Sequence, residues 1–321
     1  MRVLITGAAG FLGRNYVRYH LAKGDDVVAV DDLSNPHSHW LPADLGELDQ
    51  IEAELGYFLN MVDGTSRYDL AYHFAAPVGG RVKIEGDPLF NADSLRLDAE
   101  MFRWAVRQDE KPVVVYPSSS AVYGVTFQGK AGQALQEGMF HPSNPNWFAP
   151  DEMYGFTKLA GEVLAWKSAG YGLNVLCIRP FSGYGEDQSL EYPVPSIAAR
   201  VAKREDPLTI WGSGLQTRDF IHVSDLVGAT ISRLDAGVHG YESMNIGSGR
   251  ATSFIDIGKA LAKIAGYEPT IVTDVTKPEG VQNRWCDTAR MWRYHQPKVS
   301  LTEGLTRVLR AQEESLVVQE A

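Results

Sequence analysis

The 321-residue sequence predicts an α/β fold: a doubly wound parallel sheet with a smaller C-terminal α/β lobe. Three observations carry that prediction. Short β-branched runs alternate with helical patterns through the first half of the chain. Those runs are apolar at consecutive positions, as strands covered on both faces must be. A glycine-rich turn, TGAAGFLG, directly follows the first run.

Taken in order, RVLIT (2–6) reads as the first strand and Phe11 to Lys23 as the amphipathic helix behind the glycine turn. DVVAV (26–30), DLAYHFA (69–75), PVVVYPS (112–118) and NVLCIRP (174–180) supply further strands. After about Arg179 the pattern loosens into Gly-, Pro- and Trp-bearing loops such as FSGYGEDQSLEYPVP and LTIWGSGLQTRDF, with a helix at 254–265. The expected division is 1–180, with returning segments near 215–250, and 181–321 for the smaller lobe.

Composition excludes several classes of function. Lys plus Arg number 30 against 40 Asp plus Glu, a net charge of −10, and no basic block stands out as a nucleic-acid footprint. The two cysteines, Cys177 and Cys286, form no C-x-x-C pair, and the eight histidines form no H-x-x-x-H pair. Neither a disulfide framework nor a metal site is expected. MRVLITG runs straight into a strand without the features of a signal peptide, and no apolar run approaches the ~20 residues that span a bilayer. A cytoplasmic protein without a membrane partner is the expectation.

Gly7, Gly10 and Gly13 form a G-x-x-G-x-x-G turn between a strand and a helix, where backbone N–H groups and the helix N-terminus suit a pyrophosphate. The second strand ends in VDDLS. An acidic residue about twenty positions after the glycines accepts from a ribose diol and repels a 2′-phosphate, so Asp31, with Asp32 beside it, implies NAD. A solvated turn is the alternative for both aspartates. Glu54, or else Asp63, is the candidate acidic residue after a third strand.

Tyr154 and Lys158 are spaced i, i+4, which puts both on one face of a helix. An ammonium within ~4–6 Å of a phenol favours the phenolate, the form that can act as a general base. Ser119, in SSSAVYG (118–124), follows a strand at the end where a doubly wound sheet meets its ligand, so its hydroxyl could hold the same substrate oxygen. The alternative is a serine turn and an unrelated surface pair. The order of glycine turn, Asp31, serines and Tyr-Lys favours a catalytic Ser119/Tyr154/Lys158 set.

In these features the chain resembles the extended short-chain dehydrogenases/reductases, specifically the NAD-dependent epimerase/dehydratase family acting on nucleotide sugars. TGAAGFLG, VDDLS, HFAA (73–76), SSSAVYG, YGFTK (154–158), RPFSGYG (179–185), RDFIHVSD (218–225), NIGSG (245–249) and PEGVQNRWCD (278–287) occur in the family's order. The resemblance implies a Rossmann NAD domain, with contacts to NAD from Gly7, Gly10, Phe11, Leu12, Gly13, Asp31, Asp32, Ala75, Tyr154, Lys158 and Phe181. For the substrate it implies Arg218 and Arg284 at the diphosphate and Trp211 beside the base. Gly79, Gly80, Ser120 and Ser182 are also expected at the substrate. An ion pair is the alternative for each arginine and core packing for Trp211.

Relatives that dehydrate, decarboxylate or epimerise C3 and C5 carry an acid or base at the positions of Ser120 and Ala121. Ala121 can serve none of these reactions, so the resemblance favours C4 epimerisation. Reduction of a nucleotide-linked keto sugar, GDP-sugar epimerisation and non-catalytic NAD binding are the alternatives. APVGGR (76–81) and PEGVQNR look more like the GDP-sugar branch, so the base is open. Ser182 and Ser94 stand where relatives usually carry Asn. The segment between serine and tyrosine, including HPSNPNWFAPDE (141–152), is longer than usual and reads as either lid or surface loop. By the same analogy, the helix at 152–169 is expected to form a homodimer.

Overall fold

The computed structural model describes residues 1–42, 48–64, 66–87, 89–143 and 149–320. The chain first lays down β1 (Arg2–Thr6), α1 (Phe11–Lys23), β2 (Asp26–Asp31), β3 (Leu48–Glu52), α2 (Leu55–Val62), β4 (Leu70–His73), α3 (Arg81–Gly86) and α4 (Asp93–Arg107). β5 (Val113–Pro117), α5 (Glu152–Ala169), β6 (Val175–Pro180), β7 (Ser182–Tyr184), α6 (Pro193–Ala202), β8 (Leu208–Trp211), β9 (Thr217–Arg218) and β10 (Phe220–His222) come next. Last are α7 (Val223–Asp235), β11 (Tyr241–Ile246), β12 (Thr252–Ser253), α8 (Phe254–Ile264), β13 (Ile271–Asp274), β14 (Asn283–Arg284) and α9 (Leu301–Glu320).

Among the described residues, seven parallel strands form the central sheet in the order β11-β6-β5-β4-β1-β2-β3. Successive residues point to opposite faces, and both faces are apolar. Val3, Ile5, Val27 and Ala29 pack with Tyr16 and Val17 of α1 and Leu226 and Ile231 of α7. Leu4, Val28 and Val30 pack with Phe58 of α2 and Met101, Phe102 and Trp104 of α4. This is why the strands read as unbroken apolar runs. The strand order reverses beside β1, which opens a crevice at the C-terminal ends of β1 and β4.

Two strands of this sheet escape the apolar-run criterion. β3, LDQIE, is a half-exposed edge strand. β11, YESMNI, carries a fully buried Asn245, whose amide donates to the Leu135 carbonyl at 2.8 Å and accepts from the Tyr123 hydroxyl at 2.6 Å.

A third core joins α6, α8 and α9 to β8 through Val194, Ile197, Leu208, Ile257, Leu261 and Leu305. Three small sheets, β10-β7, β12-β9-β14 and β13-β8, accompany it among the described residues. Of the long segment before the tyrosine, residues 144–148 lie outside the described residues. Its earlier part is docked: Leu135 exchanges backbone bonds with Trp285 (2.9 Å) and Asp287 (3.0 Å), and Asn283 donates to the Gly129 carbonyl at 2.8 Å.

Candidate active site

The glycine turn closes the crevice at the point where the strand order reverses. Gly7 has φ +65°, and a Cβ there would stand 2.5 Å from the Phe74 carbonyl, so β1 and β4 approach too closely for any side chain. A Cβ on Gly13 would overlap the Gly7 carbonyl, which locks the first turn of α1 onto the loop. Gly10 is the N-cap of α1 and offers no side-chain cap, leaving the helix N-terminal N–H groups for a ligand. Phe11 and Leu12 follow on α1, and Leu12 is partly buried against the core.

Asp31 ends β2, buried, and accepts from the N–H groups of Ala9 (3.0 Å) and Leu33 (2.9 Å). Burial raises its carboxyl's pKa, and the two N–H groups act the other way. Asp32 is exposed, and Ser34 takes its carboxylate through both N–H and hydroxyl. That is the solvated-turn alternative for this residue. Glu54 caps α2 through the Tyr57 N–H and pairs with Arg96 at 2.6 Å, and Asp63 accepts from Gln108 at 2.9 Å. Both carboxylates are thus spent on α2 and α4 rather than offered at the end of β3.

The Ala75 N–H donates to Thr6 Oγ1 (3.2 Å), which also meets His73 Nδ1 at 3.2 Å. His73 Nε2 meets Asp98 Oδ1 at 3.0 Å, and Asp98 Oδ2 accepts from Tyr116 at 2.8 Å. A buried chain of polar groups therefore runs from the glycine strand to the ring beneath Lys158, whose ammonium lies 5.4 Å from the Tyr116 centroid. Lys158 is buried and makes no ion pair among the described residues. A buried ammonium without a carboxylate suits a hydroxyl-bearing or anionic ligand.

Ser119 leaves β5 and caps the 120–122 turn, accepting from the Ala121 N–H at 3.1 Å. α5 is pressed onto that turn. The Asp151 N–H donates to the Ala121 carbonyl at 2.9 Å, and a Cβ on Gly155 would stand 2.5 Å from the same oxygen. Tyr154 sits half-buried in the first turn of α5, with the Lys158 ammonium 6.0 Å from its ring centroid. Ser120 and Ala121 are both buried. Phe181 is buried directly after β6 against Tyr123, with ring centroids 6.4 Å apart. Ser94 is buried on α4.

At the N-cap of α5, two arginines share one carboxylate oxygen. Asp151 Oδ2 accepts from Arg81 at 2.9 Å and Arg284 at 2.6 Å. Burial would raise the Asp151 carboxyl's pKa, but the Arg284 and Arg81 guanidiniums outweigh it and hold it below the usual range. Arg218 lies beside them and, among the described residues, donates only to the carbonyls of Thr217, Val281 and Glu279. Burial, with Arg284 and Arg81 nearby, pushes it down to about 9, still cationic at neutral pH. Trp211 is 45% exposed, with the Lys277 ammonium 5.5 Å from its ring centroid, so it is not a core residue. Gly80 donates to Glu191 at 3.4 Å, Gly79 packs on Lys83, and Ser182 begins β7.

These residues fit a dinucleotide: a glycine cradle too tight for side chains, an uncapped helix N-terminus, Asp31 at the strand end and a buried ammonium with no carboxylate partner among the described residues. The NAD-dependent epimerase/dehydratase family model matches residues 3–247. The chain belongs to that family. Its members act on nucleotide sugars, and the enzyme is NAD-dependent. It is 30% identical over 300 residues to a Streptomyces dTDP-4-dehydro-6-deoxy-D-allose reductase, covering 90% of this chain and 89% of that one. Identity to the UDP-glucose 4-epimerase of Mycolicibacterium smegmatis is 28%, covering 96% and 97% of the two chains. Among solved structures, MoeE5 in complex with UDP-glucuronic acid and NAD superposes with a TM-score of 0.81 at 30% identity, covering 98% of this chain and all of that one.

Among the described residues, no group of three or more His, Cys, Asp or Glu could hold a metal ion, and no helix is long and apolar enough to cross a membrane. Sequence reasoning missed Arg14, Arg81, Asp151 and the Arg179–Glu162 pair. Arg14 is buried and ties the glycine loop to Asp187, donating to its carboxylate at 3.3 Å and its carbonyl at 2.9 Å. Glu162 receives Arg179 through two nitrogens, at 2.8 and 2.7 Å, and also the hydroxyls of Ser118 and Tyr241. The available signal was a charged residue inside an otherwise apolar element, such as Arg179 in VLCIRP.

Proposed function

We propose that the enzyme inverts C4 of a nucleotide sugar through a transient 4-keto sugar. The observation that carries this reading is the packing at position 121. Ala121 is buried, its carbonyl held by the Asp151 N–H and covered by Gly155, so an inert methyl fills the place where the family resemblance puts an additional acid or base. The residues left for proton transfer are Ser119 and Tyr154, with Lys158 behind them.

The glycine turn, Asp31 and Lys158 would hold NAD, which would supply reversible exchange of one hydride with the sugar carbon, taken from one face and returned to the other. Ser119 holds the C4 oxygen by a hydrogen bond while Tyr154 takes its proton. Lys158 favours the charge that develops on the phenol. The keto sugar turns, presents its other face, and receives its proton back from Tyr154 as the C4 alcohol re-forms. Arg218 and Arg284 hold the diphosphate as a fixed pivot for that turn, and Trp211 flanks the base.

Purified protein should interconvert a C4-epimeric pair among UDP-, GDP-, CDP- and dTDP-sugars without net change in reduced cofactor. Failure with all four classes overturns the reading. The likeness to the Streptomyces reductase favours a second reading, reduction of a nucleotide-linked keto sugar by the same residues. It requires stoichiometric loss of reduced-nicotinamide absorbance. We also propose a homodimer through α5, which exposes Phe156. Light scattering at the monomer mass overturns it.

A further inference from the structure

Arg81, Arg284 and Arg218 come from three different parts of the chain: the start of α3, β14 and β9. Gly280, at φ +70°, separates two of them, and a Cβ there would lie 3.2 Å from both Arg218 Nη2 and Arg81 Cζ. Three guanidiniums thus crowd one spot. The carboxylates paired with them are Asp151 and the more exposed Glu85, which takes Arg81 Nε, while Arg218 has no carboxylate partner among the described residues. A half-buried cluster with an excess of positive charge needs an anion to complete it.

Asp151 is the hinge of this cluster. One of its oxygens draws Arg81 and Arg284 together, its backbone N–H binds Ala121, and its carbonyl accepts from the Gly155 N–H at 2.8 Å. It therefore aims two guanidiniums and at the same time fixes the first turn of the Tyr154 helix against the Ser119 turn. We propose that Asp151 is a positioning residue that holds Arg81 and Arg284, beside Arg218, as a three-guanidinium clamp for the substrate's diphosphate. Arg81, at the start of α3, is the clamp's third member. The inference rests on the reading of the substrate as a nucleotide sugar.

Electrostatics and positioning give opposite signs for one substitution, which makes the proposal testable. If Asp151 were only a countercharge, Asp151→Asn would remove a repulsive neighbour and tighten anion binding. If Asp151 aims the clamp, the same change lets Arg81 and Arg284 swing apart and weakens binding by about tenfold or more. The measurement is calorimetric titration of the NAD-loaded protein with UDP, GDP, CDP and dTDP, and with the matching nucleosides.

The expected result is a higher Kd for the preferred diphosphate in Asp151→Asn, an unchanged weak Kd for the nucleoside, and retained NAD. In turnover, KM should rise by a larger factor than kcat falls. Arg81→Gln, at a side chain 29% exposed, should weaken the diphosphate in the same way, with retained NAD and an unchanged nucleoside Kd reporting an intact fold. Equal or tighter diphosphate binding in Asp151→Asn overturns the proposal, as does an indifferent Arg81→Gln or a wild type that binds none of the four. Because binding needs no turnover, a protein that binds a diphosphate but interconverts no C4 pair sinks the epimerase reading and leaves the clamp standing.

Discussion

A phenol serves as a base only where an alcohol is held against it, and the approach of Tyr154 to the Ser119 turn depends on the residue between Tyr154 and the helix body. Gly155 lets α5 rest on the Ala121 carbonyl, where a Cβ would intrude to 2.5 Å on backbone that cannot rotate away. Tyr154→Phe should lower kcat by about 10²–10⁴-fold with NAD retained, the usual weight of a proton-transfer group. Gly155→Ala keeps every reactive atom yet should lower kcat as well, by displacing the phenol. Wild-type kcat in Gly155→Ala would show that the helix seat is irrelevant. Tyr154, Lys158, Ser119 and Asp31 were legible because spacing and strand ends place them. Gly155, Arg81 and Asp151 were not, because the partners that give them meaning lie 34 (Ala121 to Gly155), 70 (Arg81 to Asp151) and 133 (Asp151 to Arg284) residues away in sequence.

At the level of elements, α5 is pinned to the sheet by a buried ion pair in addition to the apolar contacts of Leu164 and Ala165. Glu162 and Arg179 are both fully buried, and Arg179 also donates to Tyr123 and to the carbonyls of Glu137 and Phe140. That ties β6, α5 and the 137–140 turn into one unit. Glu162→Gln removes the charge partner and strands the guanidinium, at a cost of about 3–5 kcal/mol, whereas paired apolar replacement costs far less. Thermal unfolding should show a large drop in Tm for Glu162→Gln, and an unchanged Tm would mean that the pair carries no weight. The helices at 11–23 and 152–169 matched expectation, the first from its amphipathic pattern and the second by analogy to relatives. β3 and β11 did not, since edge exposure and a buried asparagine erase the apolar signal that marks the other five strands.

Across the whole molecule, segments far apart in sequence are joined by carboxylates held in the charged form and by at least one histidine held neutral. Asp187 bonds Arg14 and Arg18, and Asp225 gathers His295 with the N–H groups of Lys298 and Val299. Burial acts to raise both carboxyls, but these partners keep them below the usual range, as Arg284 and Arg81 do for Asp151. Each therefore contributes stability that is fully present above the unfolded value of about 4 and is lost as pH falls through the lower folded value. His20 is lowered by burial, and a ring protonated at Nδ1 satisfies both Asp25 (2.7 Å) and Tyr72 (2.9 Å) without charge. For this ring the unfolded state binds its proton first, so stability begins to fall below about pH 6.5. The expected profile of Tm against pH is flat near neutrality, declines gently below about 6.5, and drops steeply below about 4. His20→Gln should flatten the gentle step and leave the steep one. A Tm that rises between pH 6.5 and 5 would mean that the His20 ring gains, rather than loses, protonation free energy on folding, and would remove a buried neutral histidine from the account of how the cofactor half is held together.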